Sequence, residues 1–490
     1  MKTERLVMWV TFLAIGIMAA QMLVDNDTWW HLRAGEWILE HRAVPRADEF
    51  SSTRAGAEWH YPGWLVEAPM ALLYRLGGPG ALNVWAAGMA ALALIILWPA
   101  LSGGPFVRAF VLVLAAAASG VYWAARPYLV TFLLTAVFLR VLEGAGRGQE
   151  RRLWLLPLLM AVWANSHGGF LAGFLVWGAY WAGEIGRWGM AYLVWRRNRA
   201  QGADRPVFPR ALTWLGLALA AAACLNPYGA EMLLYPFKTV SIGALKDFIQ
   251  EWQSPDFHNP QFQPFAWLLL LGVGVLGASR RRLALQDFLL FAGFAYLGLS
   301  AGRNVALFAL AAPLVITRHA APLEADARRW VRVYLHPRPS PPLAPRLQAL
   351  INWTLLALLG LALLLRLAQA LPAQANEKVF AQTLPVGAVR YLEQARPSGR
   401  LFNSYNWGGY LLWALPEYPV FVDGRTDLYD DEIIDQWLQV VAAREGWQAV
   451  LDRRQVRLVL VEPGTALAAV LPAAGWKLLY QDAVAVVYGR

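Results

Sequence analysis

Apolar runs recur along this chain, and most approach the length that a helix needs to cross a lipid bilayer. Backbone polar groups in a membrane must bond within helices or a closed barrel, and a barrel would show alternating segments of about ten residues. We therefore predict a polytopic α-helical membrane protein with about eleven transmembrane helices. The predicted spans cover residues 6–24, 81–101, 105–125, 128–142, 153–165, 170–185, 211–225, 264–277, 283–301, 305–317 and 351–371.

The net charge of +10 would fit a nucleic-acid-binding protein, but the positions of the arginines do not. They lie mostly in alternate loops between the apolar runs, and basic loops stay on the cytoplasmic side of a membrane. We therefore predict a multi-pass protein with its N-terminus inside and with no nucleic-acid partner. The single cysteine, Cys224, excludes an intramolecular disulfide and any site built from several cysteines.

Polar turns interrupt the apolar runs, and the loop charges place all of them on the outer face. Polar turns that share one face predict a cavity open to the outside. Taken alone, each has a plainer interpretation, because Asn226 before a proline can stop a helix and Gly168-Gly169 permits a tight turn. The turns are Asp25-Asn26-Asp27, Ala125-Arg126-Pro127-Tyr128, Asn165-Ser166-His167-Gly168-Gly169, Asn226-Pro227-Tyr228-Gly229 and Gly302-Arg303-Asn304, and the predicted outer loop 229–263 adds Lys238 and Glu251.

The first outer loop, residues 25–63, begins with two carboxylates where the first span leaves the hydrocarbon. Charge near the hydrocarbon is costly, so Asp25 and Asp27 are expected to be functional or well paired. The alternative is that Asp27 is a plain helix N-cap and that Trp29 and Trp30 are interfacial anchors. Two short helices are predicted to lie on the membrane, Thr28–His41 and residues 64–76, the second ended by Gly77-Gly78-Pro79-Gly80.

Residues 372–490 are mixed in polarity and are predicted to form a soluble extracytoplasmic α/β domain beside a transmembrane domain of residues 1–371. Two polar turns there, residues 403–409 and 423–427, follow predicted strands, where open α/β sheets bind ligands. Plain β-turns rich in Gly, Asn and Asp are the alternative. The predicted strands are 399–403, 418–423, 456–461, 476–480 and 484–488, and the predicted helices are 407–415, 431–441, 446–453 and 465–471.

Five motifs carry a resemblance to known proteins. They are Asp25-x-Asp27-x-Trp29-Trp30-His31-Leu32-x-x-Gly35, Pro45-x-x-Asp48-x-Phe50-Ser51, Trp59-x-x-x-x-Trp64-Leu65-x-Glu67, Asn165-x-His167-Gly168-Gly169 and Asn403-Ser404-Tyr405-Asn406-Trp407-Gly408-Gly409-Tyr410. In its layout, with an acidic pair after the first helix, a long first outer loop, many spans and an outer C-terminal domain, the chain resembles the GT-C superfold of integral membrane glycosyltransferases. That superfold includes oligosaccharyltransferases, protein mannosyltransferases and the aminoarabinose transferases of lipid A. The motifs themselves resemble those of a bacterial branch of such membrane proteins.

The resemblance implies an inverting transfer of a sugar from a polyprenyl-phosphate-linked donor to a lipid, glycan or protein acceptor. The reaction would take place at the extracytoplasmic face of the bacterial cytoplasmic (inner) membrane. Asp27 is the first candidate, and Asp25 the second, for a base or an orienter of the acceptor. The acidic motif reads Asp-Asn-Asp rather than the Asp-Glu pair of some relatives, which leaves open which aspartate acts.

Some members of the superfold need a divalent metal, and Mg²⁺ or Mn²⁺ would here be held by Asp25, Asp27, His167 and Glu251. Positive charge is also needed for the leaving phosphate. The residues expected to bind substrate are His31, Trp30, Arg126, Tyr128, Asn165, His167, Asn226, Tyr228, Lys238, Glu251, Arg303 and Asn304.

Two other classes of protein stay open. A lipid or polysaccharide transporter or flippase would carry ionisable residues near the membrane midplane and inverted repeats, whereas few such charges and no convincing repeat are found. A non-catalytic envelope glycan assembly protein on the same scaffold would have lost the acidic cluster, which is present. The sequence therefore favours the transferase.

Overall fold

The computed structural model describes residues 2–22, 25–198, 204–243, 248–335 and 344–490. Residues 23–24 of the predicted first span and residues 244–247 of the predicted loop 229–263 lie outside the described residues. Helices dominate the described chain up to residue 370, apart from the long loop of residues 42–63. They are α1 (Thr3–Ala19), α2 (Thr28–His41), α3 (Trp64–Leu97), α4 (Pro105–Ser119), α5 (Tyr128–Ala145), α6 (Leu155–Ala164), α7 (Leu171–Arg197), α8 (Arg210–Ala223), α9 (Tyr235–Ser241), α10 (Gln263–Ala278), α11 (Leu285–Phe288), α12 (Phe294–Ser300), α13 (Val305–Trp330) and α14 (Pro345–Ala370).

Six helical stretches within the described residues are long and apolar enough to cross a membrane. Two shorter apolar helices accompany them, α8 and the stretch Leu285–Ser300. The predicted count of about eleven spans is therefore not confirmed and stays a prediction. The six stretches are Trp64–Ala100, Pro105–Tyr122, Tyr128–Ala145, Pro260–Ala278, Gly302–Leu335 and Pro345–Ala370.

The two helices of the first outer region follow their sequence signals closely. Helix α2 begins at Thr28 and ends at His41, as predicted. Helix α3 runs on past residue 76, but its backbone leaves the helical conformation at Gly77 and Gly78. Gly78 has a φ of 59°, which glycine adopts without strain. The predicted stop is therefore a sharp break between two helical segments of α3.

The C-terminal part of the chain holds a four-stranded sheet in the order β1-β2-β4-β3. Strands β1 and β2 are parallel, whereas β4 is antiparallel to both of its neighbours. Each of these strands overlaps a predicted one. The elements are β1 (Arg400–Asn403), β2 (Val456–Val461), β3 (Lys477–Gln481), β4 (Val486–Gly489) and the helices α15 (Ala373–Thr383), α16 (Val386–Ala395), α17 (Gly408–Ala414), α18 (Thr426–Val441), α19 (Trp447–Arg453) and α20 (Ala466–Val470).

The prediction of a strand at residues 418–423 is wrong. Backbone groups of this segment bond outside the sheet: Phe421 N donates to the side chain of Asn403 at 2.8 Å, and Val420 O accepts from Ser52 N at 2.8 Å. Val420 forms only an isolated bridge to Ser51 of the first outer loop. The segment is apolar and extended because it is buried between the sheet and that loop, not because it belongs to the sheet.

A buried ion cluster joins the first outer loop to the C-terminal part. Arg425 donates to Asp48 of the first loop at 2.7 Å and to Asp423 at 2.7 Å, and Tyr429 OH also donates to Asp423. The guanidinium lies over the rings of Phe50 and Trp59. Fully buried charges are tolerated when they are paired and hydrogen-bonded, so this cluster fixes how the two regions meet.

Candidate active site

A cavity of about 740 Å³ lies between the first outer loop, the turns before α5 and α7, the chain around α9, and two loops of the C-terminal part. The structure brings polar turns that are far apart in the sequence into this one cavity, as predicted. Apolar side chains complete the lining. The predicted site residues that line the cavity are Asp25, Asp27, Trp30, His31, Arg126, Tyr128, His167, Glu251, Arg303 and Asn304.

The two aspartates of the first loop have different tasks. Asp25 Oδ1 accepts hydrogen bonds from Asp27 N at 3.0 Å and from Thr28 N at 3.1 Å, so Asp25 caps the start of helix α2. Asp27 makes no such cap. Its carboxylate instead accepts from Trp30 Nε1 at 3.2 Å and from Arg126 at 3.1 Å. The interpretation of Asp27 as a plain N-cap is therefore wrong, and its carboxylate belongs to the cavity.

Arg126 lies among three carboxylates. One terminal nitrogen is 3.1 Å from Asp27 Oδ2 and 3.6 Å from Asp25 Oδ2, and the other donates to Glu251. The residue is only 8% exposed. Burial opposes its charge, but the three carboxylates hold the pKa of Arg126 well above its usual value. The guanidinium therefore stays charged and ties the first loop to the outer loop that carries Glu251.

The pKa values of Asp27 and Glu251 are shifted in opposite directions. Desolvation, helped by the charge of Asp25, raises the pKa of Asp27 to about 7, although Arg126 pulls it down. Burial also acts on Glu251, but Arg126 and Arg303 outweigh it and lower the pKa of Glu251 below its usual value. Asp27 can therefore exchange a proton near neutral pH, while Glu251 stays ionised.

Trp30 and His31 are buried in the cavity wall, and the burial of Trp29 and Trp30 does not fit interfacial anchors. Trp30 is 5% exposed and donates to Asp27, and Trp29 packs against Phe380 and Trp413 of the C-terminal part. His31 Nδ1 lies 2.8 Å from a carboxylate oxygen of Glu67. Burial and the charge of Arg126 lower the pKa of His31, so its ring is neutral at pH 7.

His167 lies on another wall, beside Tyr128. Its Nδ1 accepts from Gly169 N at 3.0 Å and contacts Thr131 Oγ1 at 2.8 Å. Burial and the charge of Arg303 lower the pKa of His167 well below its usual value. Because Nδ1 accepts a hydrogen bond in a neutral ring, Nε2 carries the proton and is the donor of this imidazole.

Arg303 presents positive charge that no carboxylate of the described residues neutralises through a salt bridge. Its guanidinium lies 4.4 Å from the ring centre of Trp252 and 5.9 Å from that of Tyr128, whose hydroxyl donates to Arg303 O at 2.7 Å. Among the described residues it forms no ion pair within 4 Å. Asn304 lies next to it and donates to Leu297 O at 3.3 Å. Arg303 is therefore available to an anionic ligand.

The C-terminal part supplies one wall of the cavity, and its residues are not among the substrate-binding residues predicted from the sequence. Tyr405 OH and Thr426 Oγ1 are 2.7 Å apart, and Asp427 accepts from Tyr235 OH at 3.1 Å. Burial raises the pKa of Asp427 to about 6. Both polar turns that follow predicted strands thus reach the cavity, and a Cβ atom on Gly424 would overlap the carboxylate of Asp27.

The remaining predicted site residues are not brought into the cavity. Asn165 donates to the carbonyls of residues 161 and 225 and accepts from Trp64, so it joins helices. Asn226 bonds to its own turn, and Tyr228 OH donates to carbonyls of the first loop. Lys238 is exposed outside the lining. Asn165, Asn226 and Tyr228 therefore have a structural role, because their polar groups bond to backbone groups of their own turns and of other segments.

The predicted metal ligands do not form a cation site. Arg126 lies between Asp25, Asp27 and Glu251, where a cation would have to bind. His167 uses its Nδ1 on Gly169. Among the described residues, no three His, Cys, Asp or Glu side chains are grouped as metal ligands would be.

No protein-family model and no curated protein matches this chain, but solved structures do. It is similar to the oligosaccharyltransferase AglB of Archaeoglobus fulgidus in complex with an inhibitory peptide and a dolichol-phosphate. The TM-score is 0.58 and the identity is 11%, and the match covers 98% of this chain and 74% of that chain. The apo oligosaccharyltransferase of the same organism gives 0.53 and 11%, over 92% and 69%. The arabinofuranosyltransferase AftD from Mycobacteria gives 0.51 and 16%, over 100% and 42%.

These likenesses extend over most of the chain, from the spanning helices to the C-terminal sheet. At such low identity they concern the fold alone. Together with the long apolar helices, they identify the chain as a multi-pass helical membrane protein with the GT-C superfold.

Proposed function

We propose that this chain is a membrane glycosyltransferase that moves a sugar from a polyprenyl-phosphate-linked donor to an acceptor at the extracytoplasmic face of a bacterial cytoplasmic membrane. The observation that carries the proposal is one cavity that holds both Asp27, whose carboxylate caps no helix, and Arg303, whose guanidinium pairs with no described carboxylate. Glycosyl transfer to a hydroxyl needs these two functions, a base for the acceptor and positive charge for the leaving phosphate.

The lining of the cavity suits a lipid-linked phosphate. Polar groups occupy part of the wall, and leucine, valine and phenylalanine side chains occupy the rest, which matches a ligand with a charged head and a hydrocarbon tail. The AglB structure contains a dolichol-phosphate, which is a ligand of this kind. The apolar members of the lining include Leu171, Leu175, Val240, Phe248, Ile249, Leu297 and Leu307.

In the proposed reaction, the acceptor hydroxyl attacks the anomeric carbon from the side opposite the phosphate. The new carbon–oxygen bond forms while the bond to the phosphate oxygen breaks, and its electron pair leaves with the phosphate. Asp27 takes the hydroxyl proton, and Arg303 stabilises the negative charge on the leaving group. Attack from the opposite side inverts the anomeric configuration.

The C-terminal wall supports binding of sugar or acceptor hydroxyls. Asp427, Tyr235 and Tyr405 offer donors and acceptors beside the carboxylate of Asp27. Such groups fix the orientation of hydroxyls in mostly apolar cavities. The acceptor is a lipid, a glycan or a protein segment, and these side chains are the ones expected to discriminate among them.

The test uses purified full-length protein in lipid nanodiscs, a panel of radiolabelled polyprenyl-phosphate sugars and a bacterial envelope extract as acceptor. We expect the wild-type protein to release polyprenyl phosphate from one donor and to label an acceptor. The Asp27→Asn variant should lose about a hundredfold to ten-thousandfold of that rate, the usual contribution of a general base.

Asp256→Asn is the matched control, because Asp256 is a carboxylate of the predicted outer loop 229–263 that does not line the cavity and whose side chain is 70% exposed. It should keep the wild-type rate. Full activity of Asp27→Asn would remove that residue from the reaction. Movement of the intact donor across proteoliposome membranes, without release of phosphate, would contradict the proposal and favour a flippase.

A further inference from the structure

We infer that the guanidinium of Arg126 occupies the position of the divalent cation that some GT-C enzymes need, so that this chain works without such a cation. The inference rests on the proposed function. It concerns one point in the cavity, where three carboxylates from two separate loops converge on one buried cation supplied by a third segment.

Arg126 already pairs with the carboxylates that a metal ion would need. Asp25 Oδ2 and Asp27 Oδ2 both lie within 3.6 Å of the same guanidinium nitrogen, and Glu251 contacts the other terminal nitrogen. A divalent cation binds carboxylate oxygens at about 2.0 to 2.6 Å and would compete with Arg126 for these three carboxylates. The two cations would also repel each other in a buried site.

Arg126 is held firmly in this position. Thr28, at the start of α2, donates to the carbonyl of Ala125, and Pro127 fixes the backbone on the other side. The side chain is buried and cannot lose its proton at any ordinary pH. Because Arg126 keeps both its position and its positive charge, it competes with a metal ion for the carboxylates at every ordinary pH.

The exchange of a metal for an arginine changes what the cluster does. A bound cation can coordinate a phosphate oxygen, whereas the terminal nitrogens of Arg126 already donate hydrogen bonds to Asp27 and Glu251. Arg126 therefore acts as a positioning residue that orients Asp27, and stabilisation of the leaving phosphate falls to Arg303.

The inference can be tested by titrating Mn²⁺ into the full-length protein in nanodiscs, with electron paramagnetic resonance as the readout. The wild-type protein should show no saturable Mn²⁺ binding. Arg126→Gln frees three carboxylates and should gain a saturable site, with a matching rise in melting temperature on addition of Mn²⁺. Arg303→Gln lies in the same cavity but leaves Arg126 in place, so it should gain no site.

Sugar transfer supplies a second readout. The wild-type rate should not fall in the presence of a chelator such as EDTA. Saturable Mn²⁺ binding by the wild-type protein, lost in Asp27→Asn, would overturn the inference, as would complete loss of transfer in EDTA that Mn²⁺ restores. If Arg126→Gln does not fold, these two wild-type measurements decide alone. An absence of transfer under all conditions would count against the proposed function, while the Mn²⁺ titration would still decide the inference.

Discussion

Arg425 of the C-terminal part lies 2.7 Å from Asp48 Oδ1 of the first outer loop, and neither side chain has any exposed surface. This contact joins the loop that carries Asp27 to the loop that carries Asp427. This buried ion pair therefore helps to fix the relative position of Asp27 and Asp427.

Removal of Arg425 should destabilise the protein strongly. In Arg425→Met, Asp48 and Asp423 would be left buried without a cation, which costs about 3 to 5 kcal/mol. We expect a large fall in the melting temperature of the protein in nanodiscs. Arg454→Gln is the control, because its pair with Glu432 is half-exposed and such pairs contribute about 0 to 1 kcal/mol. Equal melting temperatures of the two variants would contradict the structural role of Arg425.

The transfer rate should fall as the pH drops below about 7. Burial raises the pKa of Asp27 to about 7, and a base works only in its ionised form, so activity rises through that pH and levels off above it. The measurement is the pH profile of kcat/KM for release of polyprenyl phosphate. A flat profile from about pH 5 to about pH 8 would exclude Asp27 as the titrating base.

Asp25→Asn should move this acidic limb to lower pH without unfolding α2. The charge of Asp25 helps to raise the pKa of Asp27, so its removal lets that pKa fall. Asparagine caps helices as well as aspartate does, and only Asp25→Ala should lose about 1 kcal/mol of stability. Paired pH profiles and melting curves of the two variants separate the charge from the cap. An unshifted limb in Asp25→Asn would show that the two carboxylates do not interact.

Gly424→Ala should impair transfer while the protein still folds. A Cβ atom at this position would overlap the carboxylate of Asp27 and lie 3.2 Å from Trp30 Nε1, so Asp27 has to shift. A misplacement of about 1 Å can cost about a hundredfold in rate. Gly464→Ala is the control in the same region, because nothing lies within 4 Å of its Cβ position. Wild-type kinetics in Gly424→Ala would mean that the close approach of Gly424 to Asp27 does not affect the transfer rate.

The orientation in the membrane can be tested by cysteine labelling after Cys224→Ala. Asp256→Cys, in the predicted outer loop, should react with a membrane-impermeant maleimide on intact cells. Arg281→Cys, in a predicted inner loop, should react only after permeabilisation, since arginine-rich loops stay inside. The reverse pattern would invert the topology and place the cavity on the cytoplasmic side.

The limits of helix α2 could be predicted because its signals are local. Carboxylates precede it, and its hydrophobic residues recur with helical spacing. The break at Gly77 and Gly78 is likewise encoded by neighbouring glycines and a proline. The shared outer face of the polar turns stays a prediction, and it rests on loop charge, which is a property of the whole chain.

The roles of individual side chains could not be predicted in the same way. Asn165 and His167 lie in one turn, but only three-dimensional packing decides that the amide joins helices while the imidazole lines the cavity. Asp427 reaches the cavity only because the C-terminal part docks on the first loop. That contact depends on Arg425, and no local pattern in the sequence predicts that Arg425 pairs with Asp48.

The Arg425–Asp48 pair also bears on how the protein matures. Its two members are 377 positions apart, so the ribosome makes the early half long before the late half. Domains form largely in the order of their synthesis. With the predicted topology, a nascent chain whose first loop is exported thus lacks a finished cavity until its last segment arrives, and a prematurely terminated product could not carry out the proposed transfer.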